Sequence, residues 1–119
     1  MAKDSKCILV VDDEPINHIL LKAILERSGY SVQYAEDGYK AIEMVKSSDF
    51  HLIIMDIKMP KMNGIETSRQ IKAINPQIKI IASSAIKSLN DEEYSLFCNF
   101  ISKPINRAQL IELVEKYTK

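Results

Sequence analysis

Glycine is scarce in this chain: Gly29, Gly38 and Gly64 are all there are. None opens a GxxxxGK pattern, which excludes a P-loop that cradles nucleotide phosphates. Cysteine is scarcer still. Cys7 and Cys98 form no CxxC pair and have no paired histidines, so neither a zinc site nor a disulfide framework is built here. Cys7 lies in an apolar run and reads as a small hydrophobe, and a reduced, cytoplasmic setting is the simplest expectation. Charge of one sign is lacking too: Lys plus Arg and Asp plus Glu both number 16. Without a basic excess there is no electrostatic grip on nucleic acid or on anionic lipid. The opening MAKDSK is charged and leads into no long apolar run, so neither a signal peptide nor a membrane span is expected. Repeats, low-complexity stretches and linkers are missing as well, and 119 residues suit one domain, expected to span 1–119.

What is present is a rhythm. The apolar fraction of 46% is enough for a core, and it is dealt out in alternating short and long segments. CILVV (7–11) is continuously apolar, as a strand buried on both faces should be. From Pro15 to Gly29, the residues Ile16, Ile19, Leu20, Ala23 and Ile24 recur at helical spacing and predict an inward stripe; proline suits the start and glycine the end. SVQYA (31–35), HLIIM (51–55), IKIIAS (78–83) and NFIS (99–102) read as further strands. Helices are predicted over 38–48, 65–74, 91–98 and 107–117. Asn75-Pro76 ends the third of these, and Asn90 with Glu93 forms a capping-box signature for the fourth. Five β-α units with helical crossovers predict a parallel, doubly wound α/β sandwich.

Sites in such sheets form at the carboxyl ends of the strands. Strand one ends in Asp12-Asp13-Glu14, strand three in Asp56, strand four in Ser83-Ser84-Ala85 and strand five in Lys103-Pro104. Two carboxylates about 5 Å apart repel by roughly 3 kcal/mol at an effective dielectric near 20. Either one holds a proton or a cation lies between them. Oxygen-only ligands in a small, partly hydrated site suit Mg2+, with Lys103 offsetting part of the remaining charge. An acid, Mg2+, a lysine and a hydroxyl together suit phosphoryl transfer. With no P-loop the attacking group comes from the protein, and Asp56, the isolated acid on the strand nearest the sheet's middle, is the candidate. The apolar strand before it and the Pro60 and Gly64 turn after it would hold it fixed.

VVDDEP, MDIKMPKMNG, SSA and FISKP, in that order and at those strand ends, resemble the receiver domain of two-component response regulators. The resemblance spans about Lys6 to Tyr117, and VDDEPIN and FISKPIN are similar to receivers attached to hybrid sensor kinases. It implies a flavodoxin-like doubly wound (βα)5 fold with five parallel strands in the order 2-1-3-4-5. It implies Asp56 as phospho-acceptor, and Asp12, Asp13, Asp56 and the Lys58 backbone carbonyl as Mg2+ ligands, Asp13 the more direct of the acidic pair. Ser84 and Phe100 take the switch positions, and Lys103 pairs with the phosphoryl oxygen beside a peptide to Pro104 that is often cis. Partners implied are a histidine kinase or histidine phosphotransfer protein upstream and a protein bound through the helix 4–strand 5–helix 5 face downstream. The resemblance thus implies a signalling domain rather than an enzyme. Lys58 and Ile86 occupy positions that tune hydrolysis of the phosphoryl group, and an apolar Ile86 orients no water, which implies slow autodephosphorylation.

Two departures accompany the likeness. Ser84 and Lys103 are closer in sequence than the family pattern suggests, and Asn99 stands where a Gly-containing turn is usual. A short or irregular fourth helix follows, which leaves a degenerate receiver acting only by docking as the alternative. Two other readings fit less. A haloacid-dehalogenase-like phosphatase wants Asp-x-Asp and a cap, and a flavodoxin-like carrier wants a hydroxyl-rich loop where three acids stand. Taken singly, Asp12–Glu14 could serve only a helix dipole, Asp56 a turn and Ser84 a cap. His18 is expected to face solvent, and neither it nor His51 receives a role.

Overall fold

The computed structural model describes residues 6–83 and 89–119. Strands β1 (Cys7–Val11), β2 (Ser31–Ala35), β3 (Leu52–Asp56), β4 (Ile80–Ser83) and β5 (Asn99–Ile101) alternate with helices α1 (Pro15–Arg27), α2 (Gly38–Ser47), α3 (Gly64–Ile74), α4 (Asp91–Tyr94) and α5 (Arg107–Thr118). All strand pairs are parallel, and the sheet order is β2-β1-β3-β4-β5, the flavodoxin-like (βα)5 arrangement.

The continuous apolar runs have a two-sided use. Successive side chains point to opposite faces of a strand. Leu9, Val11, Ile53, Met55, Ile80 and Ala82 therefore meet α2 and α3 through Ala41, Ile42, Val45 and Ile71. Ile8, Val10, Leu52, Ile54, Ile81 and Ile101 meet α1 and α5 through Leu21, Ile24, Leu25, Leu110 and Val114. Each large aliphatic side chain taken fully from water contributes about 2 kcal/mol. Side-chain caps start four of the helices: Asp37, Asn63, Asn90 and Asn106 each accept a bond from the backbone N–H three residues on. On α2, a Cβ at Gly38 would strike Thr67 Oγ1, so the glycine allows α2 and α3 to approach closely.

The predicted inward stripe of α1 is corrected. Ile16 (76% exposed), Ile19 (63%) and Leu20 (46%) face solvent, as does Ala23. Of the predicted stripe only Ile24 faces the sheet, and Leu21 and Leu25 join it there. The helix is apolar on two sides, so periodicity alone admits either register, and packing against the sheet and α5 selects the one that is buried. A second correction concerns α4, which ends at Tyr94 rather than residue 98. Leu96 N–H and Phe97 N–H bond three residues back, to Glu93 and Tyr94. This tightened turn drops Leu96 and Phe97 into the core and brings Cys98 N–H to the Ile80 carbonyl. The strand limits move slightly: β3 runs 52–56 and takes in Asp56, β4 starts at Ile80, and β5 ends at Ile101. Among the described residues, no helix is long and apolar enough to cross a membrane.

Candidate functional site

The sheet brings the predicted acids to one end. Asp12 follows β1 directly, and its N–H bonds the Ala35 carbonyl of β2 at 3.1 Å, which extends the ladder by one residue and pins the loop. Asp56 is the last residue of β3 and pairs in register with Ser83 of β4. One carboxylate oxygen from each of Asp12, Asp13 and Asp56 lies within 4.8 Å of the others. Asp12 (1% exposed) and Asp56 (3%) are buried, while Asp13 is exposed.

Asp12 is tightly bonded for a buried acid. Its Oδ1 accepts from Glu14 N–H at 2.9 Å, and its Oδ2 accepts from Asn17 Nδ2 at 3.1 Å and Lys103 Nζ at 3.2 Å. Asp56 Oδ1 accepts from Lys58 N–H at 3.2 Å, and its Oδ2 lies 3.5 Å from Lys103 Nζ. Lys103 follows β5, and its peptide to Pro104 is cis. Lys103 is 91 residues from Asp12 in the chain, yet it is the cation that both acids share. Burial pushes the Asp56 carboxyl up from 3.8 to about 6; Lys103 opposes the shift and Asp12 adds to it. Burial alone would lower the Lys103 ammonium, but Asp12 and Asp56 outweigh it and leave it raised.

The segment after Asp56 folds back on the strand. Gly64 N–H bonds the Ile57 carbonyl at 2.9 Å, and a Cβ at Gly64 would strike the Asp56 carbonyl oxygen. Lys61 takes the left-handed conformation at φ 68, which costs a non-glycine residue about 1–2 kcal/mol. The Asp56 backbone is thus held by the ladder on one side and by the returning loop on the other.

Phe100 is half-buried and meets Tyr94 (5.3 Å, 70°) and Phe97 (5.6 Å, 60°) edge to face. Ser84, Ala85 and Ile86 lie outside the described residues. His18 is half-buried rather than fully solvent-facing: its ring stacks on Tyr34 at 4.0 Å and 20°, and burial lowers its basicity. Burial and then Asp12 raise the Tyr34 phenol, and Tyr34 pairs in register with Val10, two residues before Asp12. His51 stays exposed, and its Nδ1 accepts the Cys7 N–H at 3.0 Å. Asn17, which bonds both Asp12 and Glu14, was not singled out by sequence. Its only signal is its place in the first turn after the acids.

The donor set is oxygen only: three carboxylates in a space a small ion fills, two of them buried. It fits a hard divalent cation such as Mg2+ and none of the soft metals.

Known proteins agree with this architecture. The family model for the response regulator receiver domain matches residues 8–115. The transcriptional regulatory protein ZraR of Escherichia coli K12 is 34% identical over 98% of this chain, which spans only 27% of that protein. The sensor protein GacS of Pseudomonas syringae is 33% identical over 93% of this chain and is spanned for 13% of its length. The crystal structure of response regulator TrrA from Thermotoga maritima in complex with Mg2+-BeF is 35% identical. It superposes with a TM-score of 0.87, covering 94% of this chain and 98% of that one. The acid pocket at the strand ends, the strand order and these matches converge: the chain belongs to the response regulator receiver domain family of two-component signalling.

Proposed function

We propose that Asp56 is the phospho-acceptor and that the donor is the phosphohistidine of a histidine kinase or histidine phosphotransfer protein. A carboxylate oxygen of Asp56 bonds to phosphorus as the phosphorus–nitrogen bond to the donor breaks, and the imidazole takes back the electron pair. Asp12, Asp13, Asp56 and the Lys58 carbonyl would hold Mg2+, which when bound would offset charge on the phosphoryl oxygens. Lys103, already shared between Asp12 and Asp56, supplies the second cation to the transferred group. Ser84 and Phe100 follow the phosphoryl group, and the α4–β5–α5 face passes the change to a cytoplasmic protein partner. Slow autodephosphorylation accompanies this reading, with Ile86 offering no group to orient water.

The observation that carries the proposal is the convergence of three carboxylates within 4.8 Å under one lysine. A docking module without chemistry has no use for so costly a cluster. Exposure to acetyl phosphate and Mg2+ should add the mass of one phosphoryl group, mapped to Asp56 and lost when EDTA is present. An adduct on another residue, or one formed equally well with the chelator, would overturn the proposal.

The solvent-facing Ile16, Ile19 and Leu20 lie on α1, the helix that starts directly after the acids of β1. A donor protein that brings its histidine to Asp56 covers them. Ile19→Glu should slow transfer from a phosphorylated histidine phosphotransfer protein by about tenfold or more, a hot-spot effect. The rate from acetyl phosphate should not change. Equal losses with both donors would place Ile19 outside the docking surface.

A further inference from the structure

α4 is a helix with little to hold it. It has four residues and none is buried. A helix so short does not form on propensity alone. Its own capping box joins Asn90 to Glu93 in both directions, at 2.8 and 3.0 Å. The tie to the rest of the fold comes from α3. Arg69 grips the Glu92 carboxylate with two parallel bonds, Nε to Oε2 at 3.0 Å and Nη2 to Oε1 at 2.9 Å. The same guanidinium bonds Glu66 Oε1 at 3.0 Å and lies 3.7 Å from Glu93 Oε2. Gln70 then holds the other oxygen of Glu66 at 3.1 Å. An isolated surface ion pair contributes almost nothing, but a planar fork with a bidentate partner inside a charge network is the exception.

What the grip secures lies two residues past Glu92. Tyr94 ends α4, and its ring meets the edge of Phe100 at 5.3 Å, while Phe97 meets the same ring at 5.6 Å. A line of contacts therefore runs from α3 through Arg69, Glu92 and Tyr94 to Phe100.

We propose that Arg69 is a positioning residue: by clamping α4 to α3 through Glu92 and Glu93 it sets where Tyr94 packs and so fixes the ring of Phe100. Its meaning for signalling rests on the reading of Phe100 as a switch; its test needs neither metal nor phosphoryl donor. The clamp makes the α4 end of the molecule responsive to charge. A partner that offers its own carboxylate to Arg69, or its own cation to Glu92, competes with the clamp and frees the aromatic pair.

The experiment uses the whole chain with and without Arg69→Gln, followed by amide hydrogen exchange and by the ring resonances of Phe100. In Arg69→Gln, amides over 91–97 should exchange about tenfold faster, as a locally opened segment does, while those of β3 stay unchanged. Salt near 1 M, where screening acts within about 3 Å, should bring the wild type toward the variant and leave the variant as it was. Arg69→Lys, which keeps the charge and loses the fork, should fall between the two. The Phe100 ring resonances should move in the direction seen for Tyr94→Leu, and Arg69→Gln with Tyr94→Leu should add nothing to Tyr94→Leu alone. Unchanged exchange over 91–97 overturns the clamp. Faster exchange with an unmoved Phe100 ring confines Arg69 to stabilising α4 and overturns the positioning role. Neither result bears on phosphorylation of Asp56, which the acetyl phosphate experiment reads separately.

Discussion

Asp56→Asn should abolish phosphorylation and at the same time make the protein more stable. The first effect follows from chemistry: an amide oxygen is too poor a nucleophile to take phosphorus from phosphohistidine or acetyl phosphate, so the adduct should fall to background. The second follows from burial. The folded protein holds the Asp56 proton until about pH 6, whereas the unfolded chain releases it near the ordinary value of 3.8. Ionising Asp56 therefore opposes folding. The penalty is absent below 3.8, grows as the pH rises toward 6 and is complete above it. At about 1.4 kcal/mol for each pH unit, it reaches roughly 3 kcal/mol. Asparagine carries no such penalty, and Lys103 keeps Asp12 as its partner. With EDTA present at pH 8, Asp56→Asn should be about 2 kcal/mol more stable by urea unfolding, with a Tm roughly 5–10 °C higher. Near pH 4 the two proteins should converge. Added Mg2+ should raise the wild type and barely move the variant. A variant no more stable than wild type at pH 8 would show that the pocket imposes no such cost.

Gly64→Ala should cost about 3 kcal/mol, near the upper end for overpacking. The added methyl would meet the Asp56 carbonyl and come within 2.8 Å of Ile57 Cα, and backbone atoms held in a ladder do not yield as a flexible side chain does. Gly29→Ala is the informative control. Nothing lies within 4 Å of its Cβ position, but its φ is +97, so its cost is conformational alone, about 1 kcal/mol. Urea unfolding ranks the two. Any Gly64→Ala protein that folds should also accept phosphate more slowly, because the space it needs is taken from the Asp56 backbone. If Gly64→Ala lost no more than Gly29→Ala, the loop would not be clamped to Asp56.

The parts of this molecule that were legible in sequence share a cause, as do the parts that were not. β1 and β3 could be read because burial on both faces forces unbroken apolar runs. Asp12 and Asp56 could be read because they stand at the ends of those runs, and Lys103 because it follows β5, and a parallel sheet must bring these strand ends together. The face of α1 was not legible: Ile16, Ile19 and Leu20 satisfy helical spacing as well as Leu21, Ile24 and Leu25 do, and only packing decides. The capping box of α4 marked where it starts but not where it stops, because Leu96 and Phe97 are claimed by the core before a second turn can form. The Arg69 fork had no signal, since exposed charges leave no periodic trace. His18 misled because its partner, Tyr34, lies on β2, outside its own helix.

Lys103 reaches the acids from the far end of the chain, and Asp12 and Asp56 come from β1 and β3, so no single helix owns the reactive centre. The outward surfaces of α1 and α4 can then drift by mutation while the chemistry stays intact. A duplicated copy could acquire a new correspondent by changing a few exposed side chains, such as those at 16, 19 and 92, without relearning how to carry phosphorus.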